Sequence, residues 1–329
     1  MERALLAALA RDRELFSDVF EASFAITKTT EHAYRFSYAF PGFRARSPSG
    51  STPLAPLAPL APMAAASVAS ALACAAPFGP AVVAATRRLL RAATDPVVAQ
   101  PLIGLAWDRA GSPRHKVYLQ LHDRGAPSAS SGPAFAERVL GMPGLAARIG
   151  DAHLHMLGVD FGPAGLTAAK LYIAHESLAA TDPAAAPSAT TLASTAPSAT
   201  TLASAALGRA LPVGHRVRNV LTVHRITPAD VEGTATVPAT TTAAATAATA
   251  DPTVARLPPP SDVDFGLAES GLSWDEIAAA PEIAALLAGS RVASALFSGF
   301  RLGVRRISVG TGSALRLTVY YALREVEEP

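Results

Sequence analysis

The sequence has little of several residue types on which whole classes of protein depend. Its 329 residues include a single cysteine, Cys74, which excludes an internal disulfide framework and a cysteine-based metal site. The formal net charge is only +2, so the composition indicates neither a nucleic-acid partner nor an acidic membrane surface. A chain that needs no disulfides suits a reducing compartment, and we expect a cytoplasmic location.

Long uninterrupted apolar runs are also missing, although half of the residues are hydrophobic and many of those are alanine. The stretch 54–76 is apolar, but prolines at positions 53, 56, 59 and 62 interrupt its first part. This pattern predicts a linker followed by a helix. The N-terminal sequence MERALLAALARDRELF carries charges throughout and predicts an amphipathic helix rather than a signal peptide. We therefore expect a soluble protein with no membrane partner.

Three segments combine a cation and a tyrosine on one predicted strand face. Lys116 and Tyr118 lie in HKVYLQL, and Lys170 and Tyr172 lie in AAKLYIAH. A third segment near the end of the chain, LRLTVYY, repeats the pattern with arginine, threonine and tyrosine. Side chains separated by two residues in a β-strand point to the same face. Each segment therefore predicts a strand with one polar, aromatic face and one aliphatic face.

Each of these strands follows an apolar strand and a turn rich in glycine, proline or serine, which predicts a β-hairpin. Five such hairpins alternate with helical sequence, the fourth pairing RVRNVLTVHRI with SDVDFGLAE across a long tip. Hairpin strands pair antiparallel, which excludes the usual parallel α/β folds. We predict the α+β class: an antiparallel ten-stranded β-barrel with a polar lumen, ringed by α-helices, in a single domain spanning residues 1–329.

Low-complexity segments at about 43–63, 180–205 and 229–260 are rich in alanine, proline, serine and threonine, and we expect them to form loops. The middle segment contains APSATTLAS twice, at 186–194 and 196–204. A unit with so few large apolar side chains is expected to lie in a surface loop and not to build a solenoid.

Further motifs accompany the hairpins. Glu21 begins a Glu-x-Ser motif in the first strand, and Arg35 lies in the partner strand, within YRFSY. Together with the two Lys-x-Tyr motifs, the segment GVDFGPAGLTAAKLYI and the tyrosine of the last strand, these residues resemble the aromatic prenyltransferases of the ABBA (αββα-repeat) barrel fold. In particular, they resemble the indole prenyltransferases of the dimethylallyltryptophan synthase family.

The resemblance implies transfer of a dimethylallyl or longer prenyl group from its diphosphate to an aromatic acceptor, an indole or tryptophan derivative being favoured, by electrophilic aromatic substitution. No cofactor is expected to be required. The sequence lacks an aspartate-rich DDxxD motif, so magnesium is possible but not obligatory, and protein cations would stabilise the departing diphosphate. In this reaction Glu21 would be catalytic, binding the acceptor's N–H or O–H. The expected diphosphate ligands are Arg35, Lys116, Lys170, Arg218 and Arg316, and the expected shield around the allyl cation is Tyr118, Tyr172 and Tyr320.

Two departures from the family pattern support a different hypothesis. Ala168 stands where the third repeat usually has an arginine. The fourth repeat carries Thr222 and His224 in place of a Lys-x-Tyr motif. The alternative is therefore a catalytically silent barrel that binds a small aromatic or anionic ligand.

Other features of the sequence have simpler interpretations. Asp108 and Asp160 each end the first strand of a hairpin, and we expect them to cap the turn without a catalytic role. His153 and His155 share a strand face, but no third metal ligand is evident nearby. No GxSxG, Walker or strand-following GxGxxG motif is present, and GTGSA at 311–315 is a predicted hairpin turn.

Overall fold

The protein is described here by a computed structural model, in which strands and helices alternate along the chain. The helix predicted at the N-terminus and most of the predicted loops at 43–63 and 229–260 lie outside the described residues. The described residues are 20–27, 33–39, 62–107, 113–122, 131–185, 198–227, 257–288 and 303–322.

The described strands form one antiparallel sheet that closes into a barrel. Each strand pairs with its neighbours in the chain, and the last strand pairs with the first, from Glu21 opposite Ala322 to Thr27 opposite Arg316. The predicted antiparallel sheet of hairpins is confirmed, including the irregular fourth hairpin. The strands are β1 (Phe20–Thr27), β2 (Ala33–Ala39), β3 (Val98–Trp107), β4 (Pro113–Leu121), β5 (His153–Gly162), β6 (Gly165–Ala179), β7 (Arg216–Ile226), β8 (Pro260–Gly266), β9 (Gly303–Gly310) and β10 (Arg316–Ala322).

Helices lie between successive hairpins and cover the outside of the sheet. Short 3₁₀ turns occur at Ala76–Phe78 and Pro183–Ala185. Among the helices of the described residues, none is both long and apolar enough to cross a lipid bilayer. The helices are α1 (Pro62–Ala75), α2 (Pro80–Ala92), α3 (Gly132–Leu140), α4 (Leu145–Ile149), α5 (Ala199–Gly208), α6 (Leu267–Ser270), α7 (Trp274–Ala278) and α8 (Pro281–Ala288).

The aliphatic face of the sheet packs against these helices. On β4, Val117 and Leu119 are fully buried in a cluster that includes Phe135 of α3. Farther round the barrel, Phe265 of β8 is fully buried in a second cluster with Ile283 of α8. Successive side chains of a strand point to opposite faces. The polar residues between these apolar positions therefore point into the barrel.

Local sequence signals set two of the helix ends. The spacing of Ser273 and Glu276 in the sequence predicts a capping box, and the structure has it at the start of α7. The hydroxyl of Ser273 accepts the N–H of Glu276, whose carboxylate accepts the N–H of Ser273 at 2.7 Å. The sequence from about 133 to 149 predicts a single helix, but the structure divides this segment into α3 and α4. Gly141 adopts a φ of 64° and ends α3, in a left-handed conformation that glycine adopts without strain.

The prediction of a loop over 180–205 is wrong for its last residues, which form the start of α5. The second copy of APSATTLAS supplies the first half of α5, which Ser198 caps by accepting the N–H of Thr201 at 3.1 Å. Ala203 and Leu207 of this helix are fully buried against the second cluster. Alanine is the best helix former, and small side chains let a helix approach a sheet closely. A repeat poor in large apolar groups can therefore still build a buried face.

Candidate active site

Two lysines from different hairpins meet at one carboxylate inside the barrel. The Nζ atoms of Lys116 and Lys170 lie 2.7 and 3.2 Å from the same oxygen, Oδ2, of Asp160. The exposed fractions of Lys116, Lys170 and Asp160 are only 2%, 8% and 2%. Charges buried to this degree are stable only when they are paired. These three residues are called the Lys–Asp–Lys cluster below; two ammonium groups and one carboxylate give it a formal charge of +1.

Strand register brings the three residues together. β5 lies between β4 and β6 in the barrel. Asp160 on β5 is directly opposite Lys116 on β4. On its other side, β5 places Gly158 opposite Lys170 of β6, and Gly158 shares a face with Asp160. The structure thus brings together two of the predicted diphosphate ligands, whose role stays a prediction.

The prediction that Asp160 caps a turn is wrong. β5 continues to Gly162, so Asp160 is a strand residue whose side chain reaches the lysines. Its backbone makes the hydrogen bond on the turn side, the carbonyl accepting the hydroxyl of Thr167 at 3.0 Å. Pairing β5 with the polar face of β4 in the sequence would have placed this acid opposite Lys116.

The tyrosines of the two Lys-x-Tyr motifs lie on the same strand faces as their lysines. Tyr118 and Tyr172 are both buried, with ring centroids 6.3 Å apart in an edge-to-face arrangement at 68°. Gly158 lies between their strands, and a Cβ at this position would come within 3.0 Å of the Tyr118 ring and 3.4 Å of the Tyr172 ring. The two rings therefore pack against a position where even a methyl group would be tight.

Aliphatic side chains continue the wall beside the two tyrosines. Leu221 and Val223 of β7 are buried against the rings, and Leu102, Met156 and Ala174 pack on the same group. Aromatic faces attract a cation, and an apolar lining excludes water. A cationic group next to an aromatic and aliphatic wall suits a ligand with an anionic head and an apolar tail.

The alternation predicted for β7 is interrupted. Asn219 has a φ of 51°, which a residue with a side chain rarely adopts. Strict alternation along RVRNVLTVHRI would place Val217 and Leu221 on one face. Instead, Val217 packs with the second cluster and Leu221 packs with the tyrosines. Arg218, a predicted diphosphate ligand, is exposed next to this break. Among the described contacts, none joins Arg218 to the Lys–Asp–Lys cluster.

The fourth repeat carries a buried hydrogen-bonded chain where a Lys-x-Tyr motif was expected. The hydroxyl of Thr222 lies 2.9 Å from Nε2 of His175 and 3.2 Å from Nε2 of His224. Nδ1 of His224 donates to the carbonyl of Pro258 at 2.7 Å. Burial lowers the pKa of both histidines, and for His175 the neighbouring His224 lowers the pKa further. His224 is opposite Leu171, which packs under the helices, so this chain supports the wall from outside.

Arg316 and Tyr320 lie on the opposite wall, because β10 is five strands from β5 in either direction around the barrel. The Nε group of Arg316 donates to Oδ1 of Asp262 at 3.0 Å, and an Nη group donates to the same oxygen and to the carbonyl of Ser261. Tyr320 is partly exposed and pairs in register with Arg306 of β9. The structure therefore separates these two predicted site residues from the Lys–Asp–Lys cluster.

A second buried acid was missed in the sequence. Asp264 of β8 is 5% exposed, and its Oδ1 lies 3.5 Å from Nε of Arg306. Its neighbours Val263 and Phe265 pack under the helices, so Asp264 points into the barrel. Alternation along SDVDFG contains this signal, since it places Asp262 and Asp264 on one face.

Glu21 and Arg35 are described only by their positions in the sheet. Glu21 on β1 pairs with Ala322 of β10, and Arg35 on β2 pairs with Ser23 of β1. Their side chains lie outside the described residues, as does Asp108. Their predicted roles stay predictions.

His115 precedes Lys116 and points to the opposite side of the sheet. Its fully buried ring lies 5.9 Å from the ring of Phe78 and 6.0 Å from that of Phe161. Its Nε2 is 3.0 Å from the hydroxyl of Thr86. Burial lowers the pKa of His115 to about 4. The ring is therefore neutral near pH 7 and adds no charge beside the lysines.

His153 and His155 of β5 form the histidine pair for which the sequence shows no third metal ligand. The rings of His153 and His155 are 6.3 Å apart and nearly perpendicular, at 86°. Within the part of the chain that the structure describes, no group of three or more His, Cys, Asp or Glu residues is placed to hold a metal ion.

Comparison with known proteins finds likeness in structure and not in sequence. No protein-family model matches the chain, and no curated protein matches it. The structure is similar to that of 5-dimethylallyltryptophan synthase from Streptomyces coelicolor, with a TM-score of 0.54 and 17% identity over 92% of this chain and 80% of that one. It is also similar to the apo form of the prenyltransferase PriB, with a TM-score of 0.50 and 17% identity over 92% of this chain and 79% of that one. At this identity the likeness is one of fold, and it confirms the predicted prenyltransferase-type barrel.

Proposed function

We propose that the chain is an aromatic prenyltransferase, which moves a dimethylallyl or longer prenyl group from its diphosphate to an aromatic acceptor. The observation that carries the proposal is the meeting of Lys116, Lys170 and Asp160 on the strands that also hold Tyr118 and Tyr172. A prenyl diphosphate has an anionic head and an apolar tail. The lysines of this wall would contact the head, and the aromatic rings beside them would contact the tail. The similarity of this fold to two solved prenyltransferase structures supports the same function.

The lysines would act in the first step of the reaction. Breaking the bond between the allylic carbon and oxygen leaves negative charge on the departing diphosphate. The ammonium groups of Lys116 and Lys170 would stabilise that charge, and fixed cations act more strongly in a buried site than in water. Loss of a single donor of this kind typically lowers kcat by about 10²–10³-fold.

The tyrosines would act in the second step. The allyl cation is attracted to the electron-rich faces of Tyr118 and Tyr172, and the aliphatic wall keeps away water that would capture it. The aromatic acceptor then attacks the cation and forms the new carbon–carbon bond. Loss of a proton from the attacked carbon restores the aromatic ring.

The acceptor we propose is an indole or tryptophan derivative, because the Glu-x-Ser motif lies in β1. Glu21 would accept a hydrogen bond from the acceptor's N–H and help to remove the proton. No cofactor is proposed to be required, and magnesium would be an optional aid. Further diphosphate ligands and a further shield residue are proposed at Arg35, Arg218, Arg316 and Tyr320; of these, Arg316 would first have to release Asp262.

The finer architecture is part of the same proposal. We propose a complete ten-stranded αββα-repeat barrel in one domain covering residues 1–329, with the predicted N-terminal helix before β1. The pairing of β1 with β10 and the alternation of helices and hairpins support it. The substrates would be the prenyl diphosphate and a small aromatic acceptor, with no nucleic-acid or membrane partner, and the cytoplasm would be the place of action.

The experiment that tests this function is incubation of the full chain with labelled dimethylallyl diphosphate and a chelator, against a panel of indoles, tyrosine and phenols. We expect a labelled product with an indole, and loss of that product in Lys116→Ala, Lys170→Ala and Glu21→Ala. Arg305→Ala, which removes an exposed cation from β9, is the matched control and should keep wild-type turnover. Turnover with phenols alone would retain prenyl transfer but contradict the proposal of an indole acceptor. Turnover only in the presence of magnesium would contradict the proposal that no metal is required.

A silent ligand-binding barrel is the second candidate, and one observation favours it. Two of the predicted diphosphate ligands already share the carboxylate of Asp160, and a third, Arg316, is bonded to Asp262. Cations paired in this way can serve structure alone. Binding of pyrophosphate without turnover of any acceptor would select this candidate over the enzyme.

A further inference from the structure

We propose that Asp160 is a positioning residue: it is the counter-ion that holds Lys116 and Lys170 charged and in place while the barrel is empty, ready for a diphosphate. The inference rests on the proposed function, because it concerns the same site. The inference gives Asp160 a role in the site, although this residue lies outside the Lys-x-Tyr motifs and the sequence predicted only that it caps a turn.

The geometry makes a counter-ion necessary. The Nζ atoms of Lys116 and Lys170 both lie within 3.2 Å of one oxygen, so the two ammonium groups are no more than about 6 Å apart. Both side chains are almost completely removed from water. Two like charges in such surroundings repel, and burial by itself favours the neutral amine. The carboxylate of Asp160 reverses both effects.

The charged groups around Asp160 come from its two neighbouring strands and the next one. Lys116 reaches it from β4 and Lys170 from β6. Arg225 of β7 is in register with Lys170 and is exposed, so it adds positive charge at the edge of the group. Along β5 itself, Gly158 and Met156 on the same face are uncharged. The acid is thus set among cations, where it stays ionised.

This arrangement prepares the two lysines for an anionic ligand. Each ammonium group has three hydrogens, so it can contact more than one acceptor at a time. A diphosphate that contacts the lysines finds them already ordered and protonated. Groups that are already in place lose less conformational freedom on binding.

Binding of inorganic pyrophosphate to Asp160→Asn, measured by calorimetry without metal, tests the inference independently of turnover. At about pH 6 we expect the variant to bind as tightly as the wild type, because both lysines are charged there. At about pH 8.5 we expect at least tenfold weaker binding than the wild type, because one lysine has lost its proton. Comparing the two proteins at the same pH removes the effect of the ligand's own titration.

Rescue by arginine separates a charge effect from a structural one. In the Asp160→Asn background, Lys170→Arg is expected to restore binding at about pH 8.5, because a guanidinium group stays protonated. Lys170→Arg alone is the control for the change of shape. An equal loss at both pH values without rescue would mean that Asp160 only supports the wall, and would overturn the proposal.

A measurement on the unchanged chain covers the case in which the variant does not fold. With lysine labelled at Cε, NMR titration of the wild type should show Lys116 and Lys170 protonated to at least about pH 9. A neutral amine at either position near pH 7 overturns the role of Asp160. If the wild type does not bind pyrophosphate at all, the proposed function fails, and this titration still decides whether Asp160 keeps both lysines charged.

Discussion

At the scale of single residues, the interior of this barrel is organised by paired charges. Lys116 and Lys170 share the carboxylate of Asp160. On the opposite wall, Arg316 is bonded to Asp262. A buried charge without a partner destabilises a protein by several kcal/mol, so such partners are part of the fold and not an addition to it. An anionic ligand therefore enters a site whose cations already have acidic partners.

Gly158→Ala is expected to disturb the tyrosine pair. Its Cβ would lie 3.0 Å from the Tyr118 ring, so that ring or the backbone must move. Overpacking of this kind typically costs about 1–3 kcal/mol, and we expect that loss in the free energy of unfolding. Turnover should fall by at least tenfold, because the displaced ring no longer covers the cation.

The control for this variant is Gly312→Ala, since a Cβ at Gly312 would meet no atom within 4 Å. Urea unfolding measures the stability of both variants, and product formation measures their activity. If the two alanine variants matched each other in both assays, the close fit of the rings around Gly158 would have no consequence.

His115 is expected to make stability depend on pH. Its pKa is about 4 in the folded protein and 6.5 in the unfolded chain, so only the unfolded chain takes up a proton between these values. Stability is then unaffected above about pH 6.5 and falls as the pH is lowered towards about 4. Between neutral pH, well above 6.5, and pH 5 the loss due to His115 should be about 2 kcal/mol.

His115→Gln should remove this contribution, which urea unfolding at several pH values between 5 and 7 will measure. Thr86→Val is the control, because it removes the hydrogen bond but leaves the imidazole buried, and it should keep the wild-type slope. The lowered pKa values of His175 and His224 act in the same direction and contribute to the slope that is left. An unchanged slope in His115→Gln would contradict the assignment.

At the scale of elements, β5 is the centre of the candidate site although it carries no Lys-x-Tyr motif. It lies between the two strands that do, and it supplies Gly158 under the rings and Asp160 between the lysines. On the β4 side, Gly158 and Asp160 are directly opposite Tyr118 and Lys116. On the β6 side, Gly158 is opposite Lys170. α5 makes a similar point outside the barrel, where a low-complexity repeat becomes a helix because its small residues fit a close contact.

Ser198→Ala is expected to weaken α5. The change removes the hydroxyl that accepts the N–H of Thr201, and the loss of such a cap typically costs about 1 kcal/mol. Thr200→Ala, at an exposed position in the same helical turn, is the control and should be neutral or slightly stabilising, because alanine is the better helix former. Thermal and urea unfolding compare the two. Equal stability of both variants would show that the cap does not contribute.

At the scale of the whole molecule, one closed sheet contributes its outer face to two apolar clusters, each of which is covered by helices. The first cluster covers β3 to β6, and the second covers β7 to β10. Because the strands are hydrogen-bonded in a closed ring, neither cluster can open without breaking the sheet. We therefore expect one cooperative unit, in accord with the predicted single domain.

Leu119→Ala and Phe265→Ala test this expectation, because each empties a fully buried position in one of the two clusters. Each should lower the free energy of unfolding by about 2–5 kcal/mol. Both should shift the same transition, whether it is followed by far-UV circular dichroism or by tryptophan fluorescence, to which Trp274 on the second cluster contributes. Separate transitions for the two probes would show that the single-domain prediction is wrong.

The sequence by itself determined the alternation of hairpins and helices, the antiparallel sheet and the two polar strands with their Lys-x-Tyr motifs. Those signals are local: a period of two residues, a turn rich in glycine and proline, and a capping serine such as Ser273 are each contained in a short window. The same locality explains the errors. The break at Asn219 and the helix at 199–208 depend on what the segment packs against, which composition does not record.

Only the tertiary structure decided which side chains meet. Lys116, Asp160 and Lys170 belong to two hairpins, and their contact depends on the register between β4 and β5, which no turn links directly. A shift of one residue in that register would place Asp160 and Lys116 on opposite faces of the sheet. The residue types were therefore readable from the chain, but the carboxylate that joins them became visible only in the closed barrel, where pairing across strands selects one register.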